Sequence, residues 1–171
     1  MVSTLRTQRR SGIWKSVAAG AFGGLAGGIA MSGYQALVNA AAKAIAGRPA
    51  LNQDEEATAG AAKAISRVAF QHELTKEETN RAVPALQCSV GLAFGALYGL
   101  LADRAPQCTA GKGTAYGAAI WLAGDEFVVP VFGLAEGPAQ ASVPAHLNAL
   151  GSHLIYGLVT DLTRSWALKS L

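Results

Sequence analysis

Two adjacent carboxylates, Asp125 and Glu126, stand inside the otherwise apolar run WLAGDEFVVPVFGL at 121–134. An ionised group in apolar surroundings costs free energy unless it is paired. Farther along, His146 and His153 lie seven residues apart and share one face of a helix, with Ala149 and Leu150 between them and Tyr156 one turn beyond. Carboxylate, imidazole and phenol together suit proton or cation handling, and they suit a hydrogen-bonded lock between helices equally well. A third reading puts the acids at the depth of lipid headgroups, where they need no partner. The spacing leaves all three open.

Other chemistry finds less support. A histidine pair at i, i+7 lacks the i, i+3 or i, i+4 spacing of helix-borne metal sites, so no metal and no cofactor are expected. There is no GxSxG and no HExxH, and Thr109-Ala-Gly-Lys-Gly-Thr114 has the wrong glycine spacing for a phosphate loop. The chain reads as non-enzymatic.

The elements that must position these residues follow from composition. Of 171 residues, 51% are hydrophobic and only 15% charged, and the mean hydropathy is +0.27. That balance fits a lipid bilayer better than water. Twenty glycines are many for helices unless those helices approach closely. The net charge of +3 is modest, and its basic residues gather at Arg6, Arg9, Arg10 and Lys15 without interleaved aromatics, which argues against nucleic acid as a partner. Cys88 and Cys108 have neither metal nor redox spacing and read as free thiols.

From 16 to 42 no charged residue occurs, longer than a signal-peptide core and long enough to span a bilayer, so a retained first span is expected at about 16–40. Its Gly20, Gly24 and Gly28, with Gly23 and Gly27 beside them, form one smooth face for another helix. Residues 43–81 are a long polar connection. Within it, 54–71 reads as an amphipathic surface helix with an apolar stripe of Ala57, Ala61, Ile65, Val68 and Ala69, packed over the bundle mouth. Thr75-Lys-Glu-Glu78 has capping-box form, and Pro84 suits the first turn of the next span. The second span, 82–102, repeats glycine at Gly91, Gly95 and Gly99. The third, about 113–134, holds the acids; at about 1.5 Å per residue Asp125 lies about 18 Å along it. The fourth runs about 144–164.

Two central acids cancel most of the third span's apolar gain, at about 2.5–3.5 kcal/mol each against about 0.3–0.6 returned per large aliphatic residue. The span must therefore insert with its neighbours. Consecutive residues on a helix point about 100° apart. The acids can face one way only if the helix breaks, for which Gly124 and Pro130 are candidates; in a continuous helix at most one of them faces His153.

Short basic flanks at the N-terminus, at Arg104 and Lys112, and at Arg164 and Lys169, with none between spans three and four, put both termini in the cytoplasm. The pairs Tyr98-Gly99, Tyr116-Gly117 and Tyr156-Gly157 recur in spans two to four. Interfacial anchoring and coincidence account for them more simply than duplication does.

The phrases at 113–121, Pro130-Val-Phe-Gly-Leu134, His146, Gly151-Ser-His-Leu154, Tyr156-Gly157, Asp161 and Arg164 resemble the YagU family of small bacterial inner-membrane proteins, which has no assigned activity. The resemblance covers about sixty residues. It departs at Ser152, where the family has glycine before the histidine. It implies an inner-membrane location and about four spans.

The expected protein is all-α: one membrane domain over 1–171, a four-helix bundle with an added amphipathic helix between spans one and two, multi-pass in a bacterial inner membrane. Its expected role is structural or accessory; the alternative is a proton- or cation-coupled channel or transporter using Asp125, Glu126, His146, His153 and Tyr156. The lipid bilayer is its expected environment, with a second copy or another membrane protein as partner.

Overall fold

In a computed structural model, residues 2–47, 53–128, 131 and 142–170 are described, with side chains omitted at 2–11, 46, 53–57 and 106. The described residues are almost entirely helical, with no strand among them. Helix α1 is Val2–Ala46, α2 Gln53–Phe70, α3 Lys76–Ala102, α4 Thr114–Ala123 and α5 Val143–Ser170. A 3₁₀ turn, Pro106–Thr109, precedes α4, and a π-turn, Gly124–Val128, extends it.

Two stretches combine the length and apolar composition needed to cross a membrane, Gly12–Ile45 within α1 and Lys76–Ala102, which is α3. Helix α5 is long enough, but His146, Asn148, Ser152 and His153 lower its apolar content. The third expected span extends into 129–130 and 132–134, outside the described residues.

Helix α1 is the common wall. It packs along α3 on one side and α5 on another, while α4 lies along α5. All three packings are antiparallel. Ser16 meets Gly99 while Gly24 meets Gly91, Gly23 meets Arg164 while Gly27 meets Tyr156, and Gly113 meets Gly157 while Gly117 meets His153.

The glycines of α1 do not form one face. Gly20 and Gly24 back onto α3, where a Cβ on Gly24 would stand 2.6 Å from Gly95 Cα and one on Gly20 2.7 Å from Gly99 Cα. Gly23 and Gly27 back onto Thr160 and Tyr156 of α5. A three-residue step turns about 300° around the helix, so neighbouring rows serve two partners. Gly28 departs from its row: nothing lies within 4 Å of the place its Cβ would take, and it opens onto an apolar groove of about 170 Å³ beside Ile29, Pro84 and Cys88.

Helix α3 begins earlier than the apolar run suggests. Thr75 Oγ1 accepts from the Glu78 amide at 3.3 Å while Glu78 Oε2 accepts from the Thr75 amide at 2.8 Å, completing the capping box. Pro84 consequently lies inside the helix rather than in its first turn. Helix α2 rests against α3 with Ala62 and Ser66 buried, whereas Ile65, Val68 and Phe70 are exposed. Of the expected apolar stripe, Ile65, Val68 and Ala69 thus face outward and Ala61 is half-buried, while the side chain of Ala57 lies outside the described residues.

Candidate functional site

Gly124 decides how α4 presents its acids. Its amide is shared between the carbonyls of Ile120 and Trp121, and the following residues wind as a π-turn. A π-turn closes i→i+5 bonds and holds more residues per turn, so consecutive side chains diverge less than in an α-helix. No break is needed at Gly124; Pro130 lies outside the described residues.

With that winding both acids meet α5. Glu126 Oε1 lies 2.6 Å from His146 Nδ1, and Asp125 Oδ2 lies 3.6 Å from His153 Nδ1. The first is a short charge-assisted contact, the second an ion-pair distance beyond hydrogen bonding. Each histidine therefore has its own acid, where an unbroken α-helix would bring only one toward His153. His153 Nδ1 also approaches Ala149 O at 3.0 Å, and Ser152 Oγ donates to the same carbonyl at 2.7 Å. The four side chains are 10–25% exposed, so the layer is sheltered but reachable.

Tyr156 belongs elsewhere. Its hydroxyl donates to Gly91 O at 2.9 Å across to α3, and its ring joins Tyr98 and Tyr116 in the buried core. Tyr116 donates to Phe94 O at 2.7 Å, and its ring centroid lies 4.8 Å from that of Tyr98. The three repeated tyrosines are core residues and not an interfacial belt. Each is followed by a glycine that lets a neighbouring backbone come in: Gly99 to Ser16 O, Gly117 to His153 O and Gly157 to Gly113 O.

Beyond the tyrosines lies a second polar layer that spacing alone does not reveal. Tyr98 Oη donates to Asp161 Oδ1 at 2.7 Å. Arg164 Nη2 donates to Ser16 Oγ at 2.8 Å and to Asp103 Oδ1 at 2.5 Å, and its guanidinium stands 5.9 Å from the Tyr98 ring centroid. Ser16 Oγ in turn donates to Gly99 O at 2.9 Å. Arg164 thereby ties α1 and the end of α3 to α5. In the sequence an Asp follows five residues after Tyr98 and after Tyr156, which marks the acids but not their partners: Asp103 pairs with Arg164 and Asp161 with Tyr98.

Cys88 and Cys108 are free thiols. Among the described residues no group of three or more histidines, cysteines or acids has metal-binding geometry. Compared with protein-family models, curated proteins and solved structures, the chain matches none.

Proposed function

We propose that the chain is a small polytopic membrane protein, four spans in a bacterial inner membrane with both termini cytoplasmic, whose role is structural or accessory and not enzymatic. The observation that carries this reading is the one-to-one pairing of Asp125 with His153 and Glu126 with His146. Two carboxylates on a short, interrupted helix would insert poorly alone; with a histidine opposite each, α4 is held to α5 by polar contacts that lipid cannot replace. The antiparallel order of α1, α3, α4 and α5 agrees with four passes, and the resemblance to the YagU family supports the inner membrane. Protease access to tags at each terminus tests the topology, and cleavage of either from the outer side overturns it. Disruption of either pair with no loss of bundle stability in detergent overturns the lock.

A second reading has its own support. The pairs are partly exposed and sit on a π-turn, a feature that often marks functional sites, so the layer suits a proton- or cation-coupled channel or transporter. Reconstitution in liposomes containing a pH-sensitive dye tests it with Asp125→Asn and Glu126→Gln. Equal flux in all variants, or no flux in any, overturns that reading.

A further inference from the structure

Helix α2 does not cover the mouth of the bundle. A helix in that place would rest on the ends of several others, whereas α2 rests mainly on α3 and barely touches α5. Its buried residues, Ala62 and Ser66, border a groove of about 350 Å³ whose opposite wall is Ala82, Ala85, Leu86 and Ser89 of α3. Those four residues open the charge-free run of α3 and occupy about the first 10 Å of it. Lys76, Glu77, Glu78 and Arg81 stand just before that run, and α3 has the length and composition to cross a membrane. Helix α2 is therefore level with the outermost part of a span and not above it.

The chemistry of the groove selects an apolar occupant. Among its lining side chains only Ser66 and Ser89 are polar, and both hydroxyls are turned back on backbone: Ser66 Oγ donates to His72 O at 2.9 Å and Ser89 Oγ to Ala85 O at 2.8 Å. The groove also runs on into other apolar surface. On α3, Ala93 and Leu97 continue the row of Ala85 and Ser89 at four-residue steps, and both are exposed. On α2, Ile65, Val68 and Phe70 are exposed. Lys63 and Arg67, exposed too, stand two residues to either side of Ile65, about 160° round the helix from it. One flank of α2 is thus apolar and another basic.

We propose that the groove between α2 and α3 holds an acyl chain of a phospholipid from the non-cytoplasmic leaflet, with α2 lying in the headgroup region of that leaflet as an interfacial helix. This inference rests on the four-span reading and adds α2 to the membrane-embedded part of the chain. Apolar cavities exclude water and accept apolar molecules. A lipid chain reaches the groove along Ala93 and Leu97 without passing a charged side chain. Ile65, Val68 and Phe70 then face hydrocarbon about 5–10 Å below the phosphates, the depth at which interfacial helices embed. Lys63 and Arg67 lay their stems along the apolar boundary and lift their charges to the phosphates. A phospholipid supplies both the apolar chain for the groove and the anionic group for the basic flank.

The test has two arms. In the first, nitroxide labels at Lys63→Cys, Val68→Cys and Leu97→Cys, each in the full chain carrying Cys88→Ser and Cys108→Ser, are read in phosphatidylcholine–phosphatidylglycerol vesicles for access to oxygen and to a water-soluble nickel chelate. Oxygen is expected to prevail at Val68 and Leu97, and nickel at Lys63. In the second, phosphorus is assayed on detergent-purified wild type and Ala85→Phe, whose ring fills the groove; displacing even two methylenes of a chain predicts about a tenfold fall in retained phospholipid. Nickel access at Val68 with oxygen access at Leu97 overturns the lipid site and leaves the four spans standing, whereas nickel access at both overturns the spans as well. Exclusion of both reagents from Val68 means that protein covers it, which overturns the proposal, as does equal phospholipid on wild type and Ala85→Phe. Should Ala85→Phe fail to stay monodisperse, Ser89→Leu fills the same groove and is read in the same way.

Discussion

The two polar layers differ in how they are held. Around Arg164 and Asp161, three helices converge, backbones touch at glycine, and the side chains that bond are nearly all buried. Around Asp125 and Glu126, among the described residues, α4 with its π-turn meets α5, and nothing lies within 4 Å of where a Gly124 Cβ would stand. Glycine crossings press backbone against the first layer from α1 and α3, whereas the second layer meets Gly117 at His153 O and is open beside Gly124. Close packing resists small displacements, so the side of the acid–histidine layer beside Gly124 is the one with room to shift.

Substitutions sharpen this contrast in a graded way. The largest effect is expected from Gly95→Leu, because its first side-chain atom already falls on the Gly20 carbonyl and within 2.5 Å of Gly24 Cα. Backbone cannot move aside as a side chain can, so the cost should exceed the about 1–3 kcal/mol of ordinary overpacking. Loss of the monodisperse, helical species in detergent is the readout, and a stable Gly95→Leu protein would remove the α1–α3 crossing from the account.

Arg164→Met comes next. Breaking a buried ion pair by removing one partner costs about 3–5 kcal/mol, and the exposure of Asp103 reduces that to about 2 kcal/mol. A double-mutant cycle with Asp103→Asn in a denaturant titration measures the coupling; additive losses would mean that the pair does not couple α3 to α5.

Glu126→Gln should cost less, about 1 kcal/mol, since the amide keeps one hydrogen bond to His146 and the site is partly wet. A loss equal to that of Arg164→Met would erase the difference between the layers. Smallest of all is Gly28→Ala, where open space and the helix preference of alanine predict a gain of about 0.5–1 kcal/mol. Destabilisation there would mean that the groove beside Pro84 is filled by something the methyl displaces.

Part of this arrangement was legible in the residues alone. Helical class, the capping box at Thr75 and Glu78, and the close-packing role of glycine spaced by four all depend on neighbours within one or two turns. The starts of elements were less legible: Pro84 looks like a helix beginning until the capping box nine residues earlier is seen to be satisfied. Nor does an apolar stripe say which way it faces, and α2 buries Ala62 and Ser66 while Val68 stays out.

What the sequence by itself determined is local: which segments are helical, which faces are smooth enough for backbone contact, and that Asp125 and Glu126 need partners. What only the tertiary structure decided is pairing. Asp125 meets His153 and Glu126 meets His146 because a π-turn rewinds the helix at Gly124, and Arg164 finds Ser16 and Asp103 from 148 and 61 residues away. Hydrophobic period is set by the turns of one helix. The side chain that stands opposite depends on the axial register and rotation of two, and those are fixed only when every glycine crossing closes together.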